Sequence, residues 1–433
     1  MLLFSLPTVL STIFMNLYTS VDGMFVARLV DTDALSAVNI TLPLTYLVSA
    51  VGMMFGSGGN ALVARKIGEG KTEEAREDFS LLLVVAFLFS IVLALLFFLW
   101  LEPLCRFLGS DDTLLPYCRA YMLPILAVIP LTIFGTMFQM SYITVGKAKL
   151  SLGVSMTGGI LNIVLDWLFI AVFRWGIAGA AIATSIGYTL PSLFGLVWFT
   201  LHKKQSLYLV KPRWRLSTLL HSCANGSSEM AGVLAYSVVA VLFNNILMRI
   251  AGSDGVAALS IIWYAQGIFG SLFRGYITGT ASVTSYNFGR SDKKRLARLF
   301  SISVKAVGTA AVAVTALSYL LGGSVVAFFA ENNQIVHDIS LRGFHIVAMS
   351  FILMGYNVFA SGWFTALNDG KTSAILSFCR TIVFLVLPVL ILPHFFGTDG
   401  VWLSMSVGEG MSLLMTLYYF RKYKAIWAPE VTV

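Results

Sequence analysis

Four of the 21 acidic residues, Asp22, Asp166, Glu229 and Glu409, sit well inside long apolar runs. A carboxylate at the centre of a membrane helix costs about 2.5–3.5 kcal/mol on insertion scales. Such a group needs a cation, a proton, a partner or a wet cavity. Asp22 lies six residues before Arg28, Asp166 eight before Arg174, and Thr184 eight after Gly176, each marker closing or opening an apolar run. At 1.5 Å per residue, the three share a level roughly 9–12 Å below one interface. Asn162 stands one turn before Asp166 on the same helix face. Tyr121 enters its own run early, at a shallower level.

Two carboxylates, an amide, a hydroxyl and a phenol from four helices can therefore converge. Oxygen-only ligation suits a hard cation, and Asp22, Asn162, Asp166 and Thr184 are the expected ligands if that cation is Na⁺. Equally, two carboxylates in a dry site cannot both ionise cheaply, so the pair can carry a proton. The plainer alternative is that Asp166 and Asn162 only bond to neighbouring helices. Glu229 and Glu409 are each alone at their level among the acids of the C-terminal half, and Glu409 has a possible structural partner in Arg380. Together with Met137 and Gln139 they are candidate substrate-cavity residues.

The elements that position these groups are set by composition. Of 433 residues, 58% are hydrophobic and 12% charged, and mean hydropathy is +0.83. A soluble domain carries about 25% charge, so a soluble enzyme of ordinary design is excluded, and the aromatic content excludes disorder. A bilayer core needs roughly 20 apolar residues per helix. Twelve runs meet this: about 2–27, 37–64, 79–101, 118–142, 150–173, 177–201, 219–250, 256–288, 299–321, 338–366, 373–393 and 400–420. Pro7, Pro43, Pro124, Pro130, Pro191 and Pro388 fall inside them and are expected to bend helices. With both termini on the cytoplasmic side, inner loops and the C-terminal tail hold 20 of the 29 basic residues. Outer loops hold six, and Arg274, Lys305 and Arg380 lie within spans. That asymmetry is the positive-inside pattern. It accounts for the net charge of +8 without a nucleic-acid partner.

The halves repeat. DALSAVNI (33–40) resembles DGVAALSI (254–261) at an offset of 221, which also carries Gly68 onto Gly289. Gly146-Lys147 resembles Gly370-Lys371, and Gly176 matches Gly400, both at an offset of 224. Six spans per half insert the two halves the same way up. The expected fold is thus an all-α membrane protein with twelve transmembrane helices. They form two six-helix lobes related by a pseudo-twofold axis along the membrane normal. The N-lobe is residues 1–205, a cytoplasmic linker 206–218, and the C-lobe 219–433.

Other chemistry finds little support. The five histidines show no metal-ligand spacing. The Gly-Lys-Thr at 370–372 lacks the preceding glycine of an ATP-binding loop, so no ATPase or other enzyme is expected. Cys105 and Cys118 fall in one outer loop and could pair; the four cysteines form no CxxC site. Residues 1–12 lack a basic run and read as the start of a span, not a secretory signal.

Several segments resemble the multidrug and toxic compound extrusion (MATE) transporters, and the resemblance covers essentially the whole chain. They are residues 6–40, 64–76, 146–170 (with NIVLD), 175–187 (WGIAGAAIATSIG), 225–230 (NGSSEM) and 398–409 (TDGVWLSMSVGE). The chain is most similar to the bacterial DinF/MepA-like branch, in which an acid in span 1 works with an Asn-x-x-x-Asp pair in span 5. Asp22, Asn162 and Asp166 match that pattern, and Tyr121 and Thr184 match its other polar positions. The resemblance implies export of cationic, amphipathic drugs and dyes by alternating access, driven by inward H⁺ or Na⁺. It implies no cofactor beyond that ion, and a monomer among the lipids of a bacterial inner membrane. The NorM-like branch uses carboxylates in spans 7 and 10; the tenth span here carries none in its interior. A lipid or lipid-linked oligosaccharide flippase of the same superfamily is the alternative. It calls for several cavity Arg or Lys, and only Arg274, Lys305 and Arg380 are candidates.

Overall fold

The computed structural model describes residues 2–30, 32–329 and 334–428; the Arg28 side chain, a boundary marker above, lies outside the described residues. Twelve helical rods run in chain order. They are α1 (Leu2–Leu29), α2 (Thr32–Met53, continuing through a π turn at Met54–Gly58 into Gly59–Gly68), α3 (Thr72–Leu99) and α4 (Leu115–Ala127 with Ile129–Thr144). Next come α5 (Ala148–Val172), α6 (Gly176–Leu201), α7 (Leu216–Gly252) and α8 (Asp254–Gly289). The last four are α9 (Lys293–Phe329), α10 (Gln334–Ala348 with Ser350–Ala366), α11 (Gly370–Ile391) and α12 (Pro393–Lys422). Among the described residues, ten of these pass the length and hydropathy needed to cross a bilayer when each bent pair counts as one span. The remaining two are α1 and α12. Every one of the twelve sequence runs falls on its own rod.

Leu88, Val92, Leu95 and Leu99 of α3 are 53–70% exposed and form an apolar outer face suited to lipid tails. The N-lobe core stacks Phe79, Phe138, Tyr142 and Phe199, with Phe138 and Phe199 ring centroids 5.4 Å apart. The C-lobe has its own aromatic core around Phe300, Phe359, Trp363 and Trp427.

The bends do not follow proline alone. The halves of α4 meet at 56°, between Pro124 and Pro130, but the halves of α10 meet at 53° with no proline nearby. The two breaks, Val128 and Met349, are 221 residues apart, so the repeat fixes the bend and proline accompanies it in one copy only. The backbone also corrects one sequence pairing. Gly176 and Gly397 both have positive φ, 59° and 55°; Gly176 opens α6, and Gly397 marks the kink near the start of α12. The equivalent of Gly176 is therefore Gly397 at the common offset of 221, not Gly400. Cys105 and Cys118 are free and buried, so they form no disulfide; the Cys118 thiol points to Ser110 Oγ, 3.8 Å away.

The lobes touch along one end of the bundle, the end that carries the basic loops. A Cβ on Gly68 would lie 2.9 Å from the Tyr286 carbonyl carbon, and one on Gly289 would lie 2.8 Å from that of Arg65. Both members of this reciprocal contact are 221 residues apart, so the pseudo-twofold axis passes between the ends of α2 and α8. A second reciprocal pair joins Gly58 to Gly226 and Gly279 to Ser5. Only glycine lets the backbones come this close. Polar bridges accompany them: Thr144 to Ser282 at 2.8 Å, Asn368 to the Ala61 carbonyl at 3.3 Å, and, furthest from that end, Asn16 to Ser271 at 2.7 Å.

The segment between α6 and α7 lies on the N-lobe. Val210 N–H donates to Ser80 Oγ at 3.0 Å, and the fully buried Asp78 receives Lys66 at 2.5 Å and Arg215 at 3.1 Å. The base of α7 is thereby pinned to α2 and α3.

Gly68→Val is expected to wedge the lobes apart at the basic end. Overpacking costs about 1–3 kcal/mol, so thiol labelling of a Ser282→Cys reporter should rise at least roughly fivefold. An unchanged labelling rate would show that this contact does not hold the end closed.

Candidate functional site

The five N-lobe residues marked by depth in the sequence are gathered into one place. Two adjacent glycines on α5 explain how. A Cβ on Gly159 would stand 2.6 Å from the Phe14 ring and 2.8 Å from the Tyr18 ring of α1, and one on Gly158 would stand 2.8 Å from the Gly187 carbonyl oxygen of α6. The Gly158-Gly159 step thus draws α1 and α6 onto α5, one turn before Asn162 and two before Asp166. Immediately after Asp166 the helix widens into a π turn, Trp167–Val172. Such single-turn bulges re-aim side chains and recur at functional sites.

Asp166 is fully buried and Asn162 is 2% exposed. Asp22 of α1 lies within side-chain hydrogen-bond reach of Asp166. Asn162 donates its amide to Thr184 Oγ1 of α6 at 3.4 Å. Tyr121 of α4 is 6% exposed and within electrostatic range of both carboxylates. Asp22 Oδ1, both carboxylate oxygens of Asp166 and Asn162 Oδ1 are buried and receive no hydrogen bond among the described residues. All four are acceptors, and two facing carboxylates cannot satisfy each other without a proton or a cation between them. Leaving such groups bare in a low dielectric is costly. Beside them is a cavity of ≈ 10 Å³, lined by Tyr18, Gly158, Asn162, Thr184, Gly187 and Tyr188. That is the space of one water-sized occupant.

Tyr18 and Tyr188 were not singled out by sequence. Helical spacing points to both, since Tyr18 is one turn before Asp22 and Tyr188 one turn after Thr184.

The four cavity candidates fare differently. Met137 is 2% exposed within the N-lobe core, and its carbonyl accepts from buried Asn60, so its place is that of a packing residue. Depth along α4 cannot say which way a side chain turns. Gln139 donates to Ser11 of α1 at 3.2 Å and Ser155 of α5 at 3.1 Å, tying three N-lobe helices. Glu409 receives Arg380 at 2.6 and 3.0 Å and the Asn357 amide at 2.7 Å, the pairing that the sequence raised. Glu229 is half-buried on α7 and faces Arg274 of α8.

The MatE family model matches residues 7–168 and 230–390, most of the chain and the same part of each lobe. The chain belongs to the MatE family. It is a multi-pass membrane transporter of the MATE type. A curated relative, the multidrug export protein MepA of Staphylococcus saprophyticus, is 21% identical over 97% of this chain and 93% of its own. Among solved structures, a MATE protein in complex with MaL6 superposes with a TM-score of 0.94 at 22% identity, covering 98% of this chain and 95% of its own. The outward-facing conformation of a multidrug resistance MATE family transporter gives 0.93 at 22% identity, with the same coverage. These likenesses fix the MATE fold as that of this chain.

In this MATE chain, Asp166→Asn removes one of the two facing acceptors and offers Asp22 a donor. The folded protein is expected to hold or gain stability, by up to about 1.5 kcal/mol. Its Tm should no longer rise when the site's cation is added, whereas the wild type's should, by mass action. Scanning both proteins across Na⁺ and proton concentrations checks this. A variant that keeps the wild-type response would place the cation elsewhere.

Proposed function

We propose that this chain is a secondary active multidrug exporter of a bacterial inner membrane, with both termini cytoplasmic. It would carry cationic amphipathic compounds outward in exchange for H⁺ or Na⁺ and work as a monomer. The observation that carries the reading is the meeting of Asp22 and Asp166 with four acceptor oxygens that the protein leaves without donors. Asn162, Thr184 and Tyr121 complete the coupling site. The name of the Staphylococcus saprophyticus relative, a multidrug export protein, supports the substrate class.

Coupling follows from differential affinity. An ion can shift a conformational equilibrium only if it binds one state better than the other. The basic end of the bundle, which we take as cytoplasmic, is closed by the reciprocal contacts of Gly68 and Gly289, and the interlobe hydrogen bonds named above among the described residues lie between that end and Asn16. We take the form described as outward-open. A proton or Na⁺ entering from outside neutralises the Asp22–Asp166 pair and lets α1, α5 and α6 draw together, which pushes substrate out. The lobes 1–205 and 219–433 then rock about the pinned segment 206–218. The alternative, a flippase for lipid-linked oligosaccharides, is weakened because Arg380 is taken up by Glu409.

The test uses proteoliposomes loaded with a fluorescent organic cation under an imposed pH or Na⁺ gradient. Wild type should transport under one gradient, and Asp22→Asn should lower the coupled rate at least roughly a hundredfold, the loss of about 2.7 kcal/mol of coupling. Both proteins should insert and elute alike. Retained gradient-driven transport in Asp22→Asn would sink the assignment.

A further inference from the structure

The C-lobe keeps a cation that nothing so far explains. Arg274 is on the middle of α8 and is exposed, although α8 packs against α1 on either side of it, through Ser271 to Asn16 and through Gly275 to Val9. Its guanidinium turns back over Gly270 and reaches the Gly267 carbonyl at 3.4 Å. Tyr264, Gly267, Ser271 and Arg274 recur at helical spacing and share one face of α8. Ser271 is bonded to Asn16 of the N-lobe, so that face looks into the space between the lobes.

Among the described residues no carboxylate lies within ion-pair distance of Arg274. Arg380 and Glu229 are the charged groups that act on it, and Arg380 is clamped by Glu409. Glu229 of α7 faces Arg274 across a gap. Unlike a carboxylate, an arginine cannot shed its charge in a protein. An unpaired, permanent cation at membrane depth marks a functional site by default. The wall beside it is aromatic. Tyr236 and Tyr264 are 44% and 53% exposed, and Tyr46 of the N-lobe lies in electrostatic range of Tyr264. Tyr264 and Arg274 stand ten residues apart on one helix face, about 15 Å along the axis. That is the span of a planar aromatic body with a charged group at one end.

We propose that Arg274 selects among transported amphiphiles by docking the carboxylate of those that carry one. The proposal rests on the transport reading above and names part of its substrate class. The guanidinium fork matches a carboxylate in two-point geometry, Tyr236 and Tyr264 flank the aromatic body, and the positive end of the substrate meets Glu229.

The test compares two forms of one dye, tetramethylrhodamine free acid and its methyl ester, which differ only in whether the carboxylate is available. Their binding to the purified full chain is read by fluorescence polarisation. In Arg274→Gln the Kd for the acid should rise on the order of tenfold, while that for the ester stays within about twofold. Arg274→Lys should recover part of the acid affinity. Ester binding also shows that each variant is folded. Parallel loss for both dyes, or no change for either, overturns the proposal and makes Arg274 a structural partner of Glu229. If Arg274→Gln does not fold, wild type decides: the acid must displace bound ester at least as well as ester itself does, and failure to do so overturns the proposal. Gradient-driven transport of the ester alone is scored separately in proteoliposomes. Its failure would count against the antiport reading and leave the binding comparison intact.

Discussion

Two carboxyl groups on different helices face one another, and three of their four oxygens are buried with no donor among the described residues. Asp22 and Asp166, with the Asn162 carbonyl, present four buried acceptor oxygens and no proton of the protein's own to share among them. In water this arrangement would be trivial. Inside a bilayer every uncompensated polar group counts against the fold, so gathering these acceptors is a cost that the surrounding packing must outweigh. The N-lobe is organised around that constraint. Gly158 and Gly159 let three helices approach, the π turn follows Asp166 directly, and Tyr18 and Tyr188 wall the pocket.

The two lobes share a backbone plan but not a chemistry. Bends at Val128 and Met349, positive φ at Gly176 and Gly397, and the reciprocal approaches of Gly68 and Gly289 all obey one offset of 221 residues. The polar residues do not. The C-lobe spends Glu409 on Arg380 and Asn357, which locks α10, α11 and α12 together. The N-lobe thus sets two carboxylates against each other, whereas the C-lobe pairs Glu409 with Arg380 and leaves Arg274 without a carboxylate in ion-pair distance among the described residues.

Contact between the lobes combines glycine-mediated backbone approaches with side-chain packing, such as Val9 of α1 on the C-lobe core. Side chains interlock poorly reversibly, whereas glycine-mediated backbone approaches separate without repacking a core. The Thr144–Ser282 and Asn16–Ser271 bonds are short hydroxyl and amide contacts that water can replace. The linker behaves differently, because buried Asp78 grips both Lys66 and Arg215. An unpaired Asp78 would be a bare buried charge, so this junction is costly to break.

Sequence by itself determined the membrane class, the twelve spans, the repeat and the level of Asp22, Asp166 and Thr184, because hydropathy, charge asymmetry and rise per residue are one-dimensional quantities. It also raised the Glu409–Arg380 pair, since two opposite charges in adjacent spans have few other options. It could not tell which way a side chain turns about its helix axis. Met137 therefore went to the core and Gln139 to a tie among three helices, and Tyr18 and Tyr188 entered the pocket unannounced. The bend in α10 has no local signal, and Gly400 stood in for Gly397 because only φ distinguishes them. Only the tertiary structure decided that the four acceptor oxygens go unmatched and that Arg274 faces the interlobe space. Both depend on where helices distant in the chain are brought together, and no spacing along one strand of sequence carries that.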